Sequence, residues 1–62
     1  MNNSDIMSVQ TANSQTNLLI TQLKMIRDRH ILPANYAENI LTTLYHLRGE
    51  LQTLCAGGRY HD

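Results

Sequence analysis

The chain contains no tryptophan and no phenylalanine, and only one cysteine and one proline occur among its 62 residues. A single cysteine excludes an internal disulfide framework and a metal site built from four thiolates. No apolar run approaches the roughly 18 residues of a membrane span, and the first residues lack both the basic start and the apolar stretch of a secretory signal. We therefore expect one small cytoplasmic domain outside any membrane.

Charge of either sign is also scarce. Five lysine and arginine residues balance five acidic residues, so the formal net charge is zero. Proteins whose main task is to bind nucleic acid or an anionic membrane rely on a basic surplus. The balance argues against both kinds of partner.

The sequence does contain two runs of residues with heptad spacing. Positions three and four residues apart alternate from residue 9 to 30, and the same rhythm returns from 37 to 54. Such spacing predicts two helices, each of which packs along one stripe. The predicted stripes are Val9, Ala12, Thr16, Leu19, Leu23, Ile26 and His30 in the first helix, and Ala37, Ile40, Leu44, Leu47, Leu51 and Leu54 in the second.

A proline separates the two predicted helices. Because proline lacks an amide hydrogen and restricts the residue before it, the first helix should end near His30, and Pro33 should lie at or near the start of the second. Gly57 should end the second helix. The predicted divisions are a flexible N terminus at 1–8, a helix over about 9–30, a turn at 31–33, a helix over about 34–55 and a flexible tail at 57–62.

A turn this short makes the helices antiparallel, so the predicted fold class is all-α, an antiparallel helical hairpin. One buried stripe per helix, at roughly 25 cal/mol per Å², hardly offsets the entropy lost on ordering the chain. Self-association is the common remedy when no disulfide or metal site is present. We predict a homodimer that forms a four-helix bundle, with Ile20, Leu41, Leu44, Tyr45 and Cys55 in the dimer interface.

No combination of residues predicts catalysis. Paired carboxylates are absent, since Glu38 and Glu50 are 12 residues apart and belong to different surfaces, and a short hairpin offers Cys55 neither a general base nor a pocket. Cys55 is interpreted as a small apolar residue. The remaining metal-ligand types lack the spacing that would place two on one helix face; they are His30, His46 and His61. The sequence predicts no enzyme, no cofactor and no metal site.

Some apolar side chains are left over on the opposite flank from Ile20 and Leu41. They form a possible docking surface for a protein partner, although scattered surface hydrophobes are ordinary. Arginines near the hairpin tip and beside Tyr45 are candidate contacts as well, or else they complement the helix dipole and cover the surface. The predicted partner-binding residues are Leu18, Met25, Tyr36, Arg27, Arg29 and Arg48.

Two helices, a predicted dimer surface and spare apolar side chains favour a protein that acts by occupying another protein. The leading hypothesis is a small non-enzymatic regulator of the antagonist, inhibitor or co-chaperone type, which binds an unidentified partner through its helices. A structural or assembly component of a phage particle or a secretion apparatus is a further hypothesis.

The second helix is also similar to that of the Rop family of plasmid copy-control proteins, at Ile40, Leu44, Glu50, Leu51 and Cys55. The resemblance covers one helix and rests mainly on heptad residues. It implies a dimeric helical hairpin that binds paired RNA loops through a polar, basic and aromatic face of the first helix. That helix has no aromatic residue here, and RNA binding therefore stands as the alternative; its polar residues are Asn13, Asn17, Thr21 and Lys24.

Overall fold

The computed structural model describes residues 2–56 and contains two helices, α1 (Asn3–Asp28) and α2 (Ala34–Cys55), which pack against each other as a hairpin. The predicted all-α hairpin is confirmed. The second helix spans the residues over which the sequence predicts it. The predicted tail at 57–62, including the helix-ending Gly57, lies outside the described residues.

The first helix begins six residues earlier than the predicted start at about residue 9, so residues 3–8 are helical and not a flexible N terminus. The side chain of Asn2 caps this end, because its Oδ1 accepts a hydrogen bond of 2.8 Å from the backbone N–H of Asp5. The carboxylate of Asp5 also lies in the first turn, where negative charge complements the helix dipole. Local capping thus outweighs the weak helix propensity of the polar residues that follow.

Backbone hydrogen bonds end α1 two residues before the predicted end at His30. The N–H of His30 donates to the carbonyl of Arg27, and the N–H of Ile31 donates to the carbonyl of Ile26, each at 3.1 Å. This pair of bonds is the Schellman arrangement, which requires a left-handed residue at the first position beyond the helix. His30 takes that position with φ of 58° and is exposed, so the prediction that it packs on the stripe is wrong.

The helix contact surface, which we call the seam, is shifted from the predicted stripes. Leu19, Ile40 and Leu47 are 45%, 41% and 46% exposed, whereas the neighbouring Ile20 and Leu41 are 3% and 1% exposed. Each helix has two possible contact stripes with heptad spacing, the predicted one and one that passes through the buried Ile20 or Leu41. Every second position belongs to both stripes; these shared positions are Val9, Thr16, Leu23, Ala37, Leu44 and Leu51. The seam is completed by Ile20, Leu41 and Arg48, in place of the exposed Leu19, Ile40 and Leu47. Toward the ends of the helices both stripes are half-buried, with Asn13, Arg27 and Cys55 on one and Ala12, Ile26 and Leu54 on the other.

The hairpin is therefore a single layer of two helices. Its Cα atoms extend over 42 × 18 × 11 Å. The buried apolar side chains of the described residues are Ile20, Ala37 and Leu41, and Thr16 is buried with them. The Thr16 hydroxyl is satisfied locally, because it donates a 2.7 Å hydrogen bond to the carbonyl of Ala12. Domains normally bury apolar surface between at least two layers, so this core is small.

Candidate interaction surfaces

The hairpin has two flanks that differ in chemistry, and helix geometry places residues on them. The reference positions are the buried seam residues Ile20 and Leu41. Leu19 and Ile40 directly precede them, whereas Lys24 and Tyr45 lie four positions after them. At about 100° per residue, these offsets point to opposite sides of the seam. Because Lys24 Nζ lies 5.9 Å from the Tyr45 ring centroid, these two residues share one flank. Leu19 and Ile40 therefore share the other.

The first of these, the polar flank, holds a cluster of cations around one aromatic ring. The guanidinium carbon of Arg48 lies 5.1 Å from the ring centroid of Tyr45, which Lys24 also approaches. Arg48 also reaches across the hairpin, where its Nη1 donates a 3.3 Å hydrogen bond to Asn17 Oδ1. Cations over an aromatic face are attracted by the ring quadrupole. These contacts hold both helices together at the edge of the seam.

An ion pair closes the same flank near the turn. Arg27 Nη1 lies 3.3 Å from Glu38 Oε2 on α2, and Arg27 Nε lies 3.2 Å from Asp28 Oδ1. The hydrogen bond that Arg27 donates to Asp28 and the charges of the two nearby carboxylates raise the pKa of Arg27, although desolvation opposes the shift. Arg27 is charged at any ordinary pH. Its ion pair with Glu38 defines the register between the two helices at this end. Exposed pairs of this kind add little stability.

The opposite side, the apolar flank, consists of six residues at intervals of seven along each helix: Ala12, Leu19 and Ile26 on α1, and Ile40, Leu47 and Leu54 on α2. The contacts of Arg27 with Glu38 and of Asn17 with Arg48 set the register of the hairpin. In that register Leu19 lies level with Leu47. Toward the turn Ile26 lies level with Ile40, and toward the open end Ala12 lies level with Leu54. The six positions carry no charge.

The outer side of α1 carries a further apolar surface, which we call the outer patch. Met25, Gln22, Ile26, Arg29 and Ile31 line a shallow depression beside the helix end. Met25 is 50% exposed and Ile31 is 64% exposed. Leu18 continues the patch one heptad before Met25. Arg29 forms no ion pair within the part of the chain that the structure describes.

The predicted dimer residues do not form one accessible surface. Ile20 and Leu41 are buried between α1 and α2, so they have no surface to offer to a second copy. Leu44 and Cys55 are half-buried on the seam, and Tyr45 lies on the polar flank beneath two cations. The reason is the shift of the seam, which moved the expected interface into the hairpin itself.

The predicted partner-binding residues are divided among different surfaces. Leu18, Met25 and Arg29 meet at the outer patch, all of them exposed. Tyr36 is exposed on α2, four residues before Ile40, so helix geometry places it beside the apolar flank and away from Leu18. The two remaining arginines, Arg27 and Arg48, are half-buried and engaged in contacts within the hairpin.

Metal and membrane sites are not evident in the described residues. Residues 2–56 contain no group of three or more His, Cys, Asp or Glu side chains that is able to hold a metal ion. Neither α1 nor α2 combines the length and the apolar character that crossing a membrane requires. Of the three histidines, His30 and His46 are exposed and His61 lies outside the described range.

Comparisons with protein-family models, with curated proteins and with solved structures find no match to this chain. The functional argument therefore rests on the surfaces of the hairpin.

Sequence reasoning missed the apolar flank because it assigned those residues to the seam. A signal was present: residues 13, 20, 27, 41, 48 and 55 form a second heptad stripe beside the first. That stripe includes Asn13, Arg27 and Arg48, and its polar members make it look less suited to a seam. In the structure its two arginines make contacts across the hairpin, Arg27 with Glu38 and Arg48 with Asn17.

Proposed function

We propose that this chain is a small non-enzymatic protein that regulates another protein by binding it through the outer patch of α1. The observation that carries the proposal is the depression beside the end of α1, where Met25 and Ile31 are at least half exposed and Arg29 lies at the edge. Methionine adapts to irregular partner surfaces, and methionine and arginine are enriched at protein interfaces.

The chemistry of the outer patch indicates the kind of partner. Leu18 and Met25 lie seven residues apart on one face, which suits an elongated apolar segment such as one side of a partner helix. Arg29 has no carboxylate of its own to pair with in the described chain. A partner that presents apolar side chains followed by a carboxylate would satisfy both features, since a charge-assisted hydrogen bond to Arg29 would fix its orientation.

The test uses the full tagged chain to retain proteins from cells of its source. The variant Leu18→Glu/Met25→Glu places two carboxylates on the outer patch. Asn39→Glu/His46→Glu adds the same groups at the same spacing on the exposed outer side of α2 and serves as the matched control. We expect one stoichiometric protein with the wild type and the control, and at least about tenfold weaker binding of that purified protein by the first variant.

Either of two results would contradict the proposal. A wild-type chain that retains no protein would remove the binding function. Equal affinity of both variants, with unchanged helical circular dichroism, would instead move the contact to another surface.

The polar flank supports RNA binding as a second candidate function. Lys24 and Arg48 lie against Tyr45, with Asn17 beside them, and cations with an aromatic ring are the usual contacts to phosphates and unstacked bases. The zero net charge opposes this candidate. Binding of structured RNA below micromolar Kd at about 150 mM salt, lost in Lys24→Gln/Arg48→Gln, would favour it over protein binding.

A further inference from the structure

The apolar flank is the more apolar of the two stripes that the hairpin could have buried, yet Leu19, Ile40 and Leu47 are exposed and its other three residues are only half-buried. The seam takes in Asn13, Arg27 and Arg48, whereas the flank is made of one alanine and five leucine or isoleucine residues. Leu19, Ile40 and Leu47 keep more than two fifths of their surface exposed. A monomer that exposes such a row gains nothing from it, because the hydrophobic effect favours its removal from water.

We propose that a second copy of this chain covers the apolar flank, so that two hairpins stack face to face as a four-helix bundle. The shape of the hairpin supports this occupant. With a depth of 11 Å in Cα positions, it is one helix thick, and stacking on the flank supplies the second layer. The proposal does not depend on the protein-binding function, which uses the outer patch.

The surface area agrees with what a dimer needs. The accessible surface is 4701 Å², about 600 Å² more than the roughly 4100 Å² expected of a folded monomeric protein of 7.1 kDa. A specific interface buries at least about 500 Å² and commonly about 800 Å² from each partner. The hairpin therefore exposes more surface than a compact monomer of its mass, and the exposed parts of Leu19, Ile40 and Leu47 belong to that surface.

The flank is also complementary to itself. A twofold interface brings the same patch together from both copies, so a charged patch places like charges close to the axis. The six flank positions carry no charge, and the charged residues of the seam edge lie on the other side of the hairpin. We place the twofold axis at the level of Leu19 and Leu47. The bulkier pair of one copy, Ile26 and Ile40, then faces the smaller pair of the other copy, Ala12 and Leu54.

Light scattering on the full chain tests the pairing with two variants. Leu19→Glu/Leu47→Glu adds two carboxylates at the centre of the apolar flank. Thr21→Glu/Tyr45→Glu adds two at the same level of the polar flank, near Lys24 and Arg48. We expect twice the 7.1 kDa chain mass for the wild type and for the second variant, and the mass of one chain for the first.

A monomeric wild type, an assembly larger than two chains, or monomers only from the polar-flank variant would each overturn the proposal. If the apolar-flank variant loses its helical circular dichroism, the wild type decides by itself. Its thermal midpoint should rise between about 5 µM and about 500 µM protein, because folding is then coupled to association. A midpoint that stays constant over that range would also overturn the proposal.

Discussion

Asn13 is the residue whose environment is least expected from its chemistry. Its side chain lies on the seam, and its Oδ1 is buried without a hydrogen-bond partner among residues 2–56. Burying an unpaired amide oxygen costs free energy that a pairing partner would recover. Polar seam residues of this kind fix the register of helices at a cost in stability.

Replacing Asn13 by leucine should stabilise the hairpin. We expect Asn13→Leu to raise the free energy of unfolding by about 1–2 kcal/mol, because the unpaired oxygen disappears and apolar area is buried. Urea denaturation followed by circular dichroism measures the change. Gln10→Leu is the control, since Gln10 is exposed on the same helix and should change stability far less. Equal gains from both variants would show that burial of Asn13 has no cost.

At the scale of the helices, capping and local hydrogen bonds decide the boundaries. Asn2 begins α1 with a side-chain bond to the Asp5 amide, and the Schellman bonds of His30 and Ile31 end it. At the start of α2, Pro33 occupies the cap position without any side-chain hydrogen bond, and its carbonyl accepts from the amides of Tyr36 and Ala37. Each end thus depends on two or three residues and not on the heptad pattern.

The seam makes a clear prediction for two adjacent residues of α2. Leu41 is 1% exposed, and Leu41→Ala should cost about 2–4 kcal/mol because it leaves a cavity between the helices. Ile40→Ala should cost less, since Ile40 lies on the apolar flank. Denaturation of both variants at one protein concentration gives the comparison. Because a second copy would cover Ile40, both variants are compared at a dilution at which the chain is monomeric, and a larger loss for Ile40→Ala there would mean that the helices pack along the predicted stripes.

At the scale of the whole molecule, a single layer of two helices leaves little apolar surface buried. Two helices with few buried side chains sit near the limit of what a chain of this size stabilises alone. The proposed stacking adds buried area without lengthening either helix. Protein binding at the outer patch would remain open in such a dimer through Leu18, Met25 and Arg29, because Ile26 is the one patch residue that also belongs to the apolar flank.

Small-angle scattering distinguishes stacked hairpins from other dimers. Stacking on the apolar flank adds thickness to the hairpin, so the longest dimension should stay close to that of one hairpin, whose Cα atoms extend over 42 Å. Association through the ends would nearly double that length. A particle of twice the chain mass with a nearly doubled maximum dimension would therefore contradict flank stacking.

The amino-acid sequence by itself determined the two helices, their hairpin connection and the range of α2. Heptad spacing and the placement of Pro33 act locally, and local signals of this kind survive without tertiary information. The start of α1 was predicted too late, because one asparagine cap outweighed several residues of weak propensity.

Only the tertiary structure decided which stripe each helix buries. Residues 9, 16, 23, 37, 44 and 51 belong to both possible stripes, and the more apolar choice would have placed Leu19, Ile40 and Leu47 inside. The structure turns both helices the other way, where Arg27 contacts Glu38 and Arg48 contacts Asn17. These contacts join residues 11 and 31 positions apart in the chain, and no periodicity within one helix contains them.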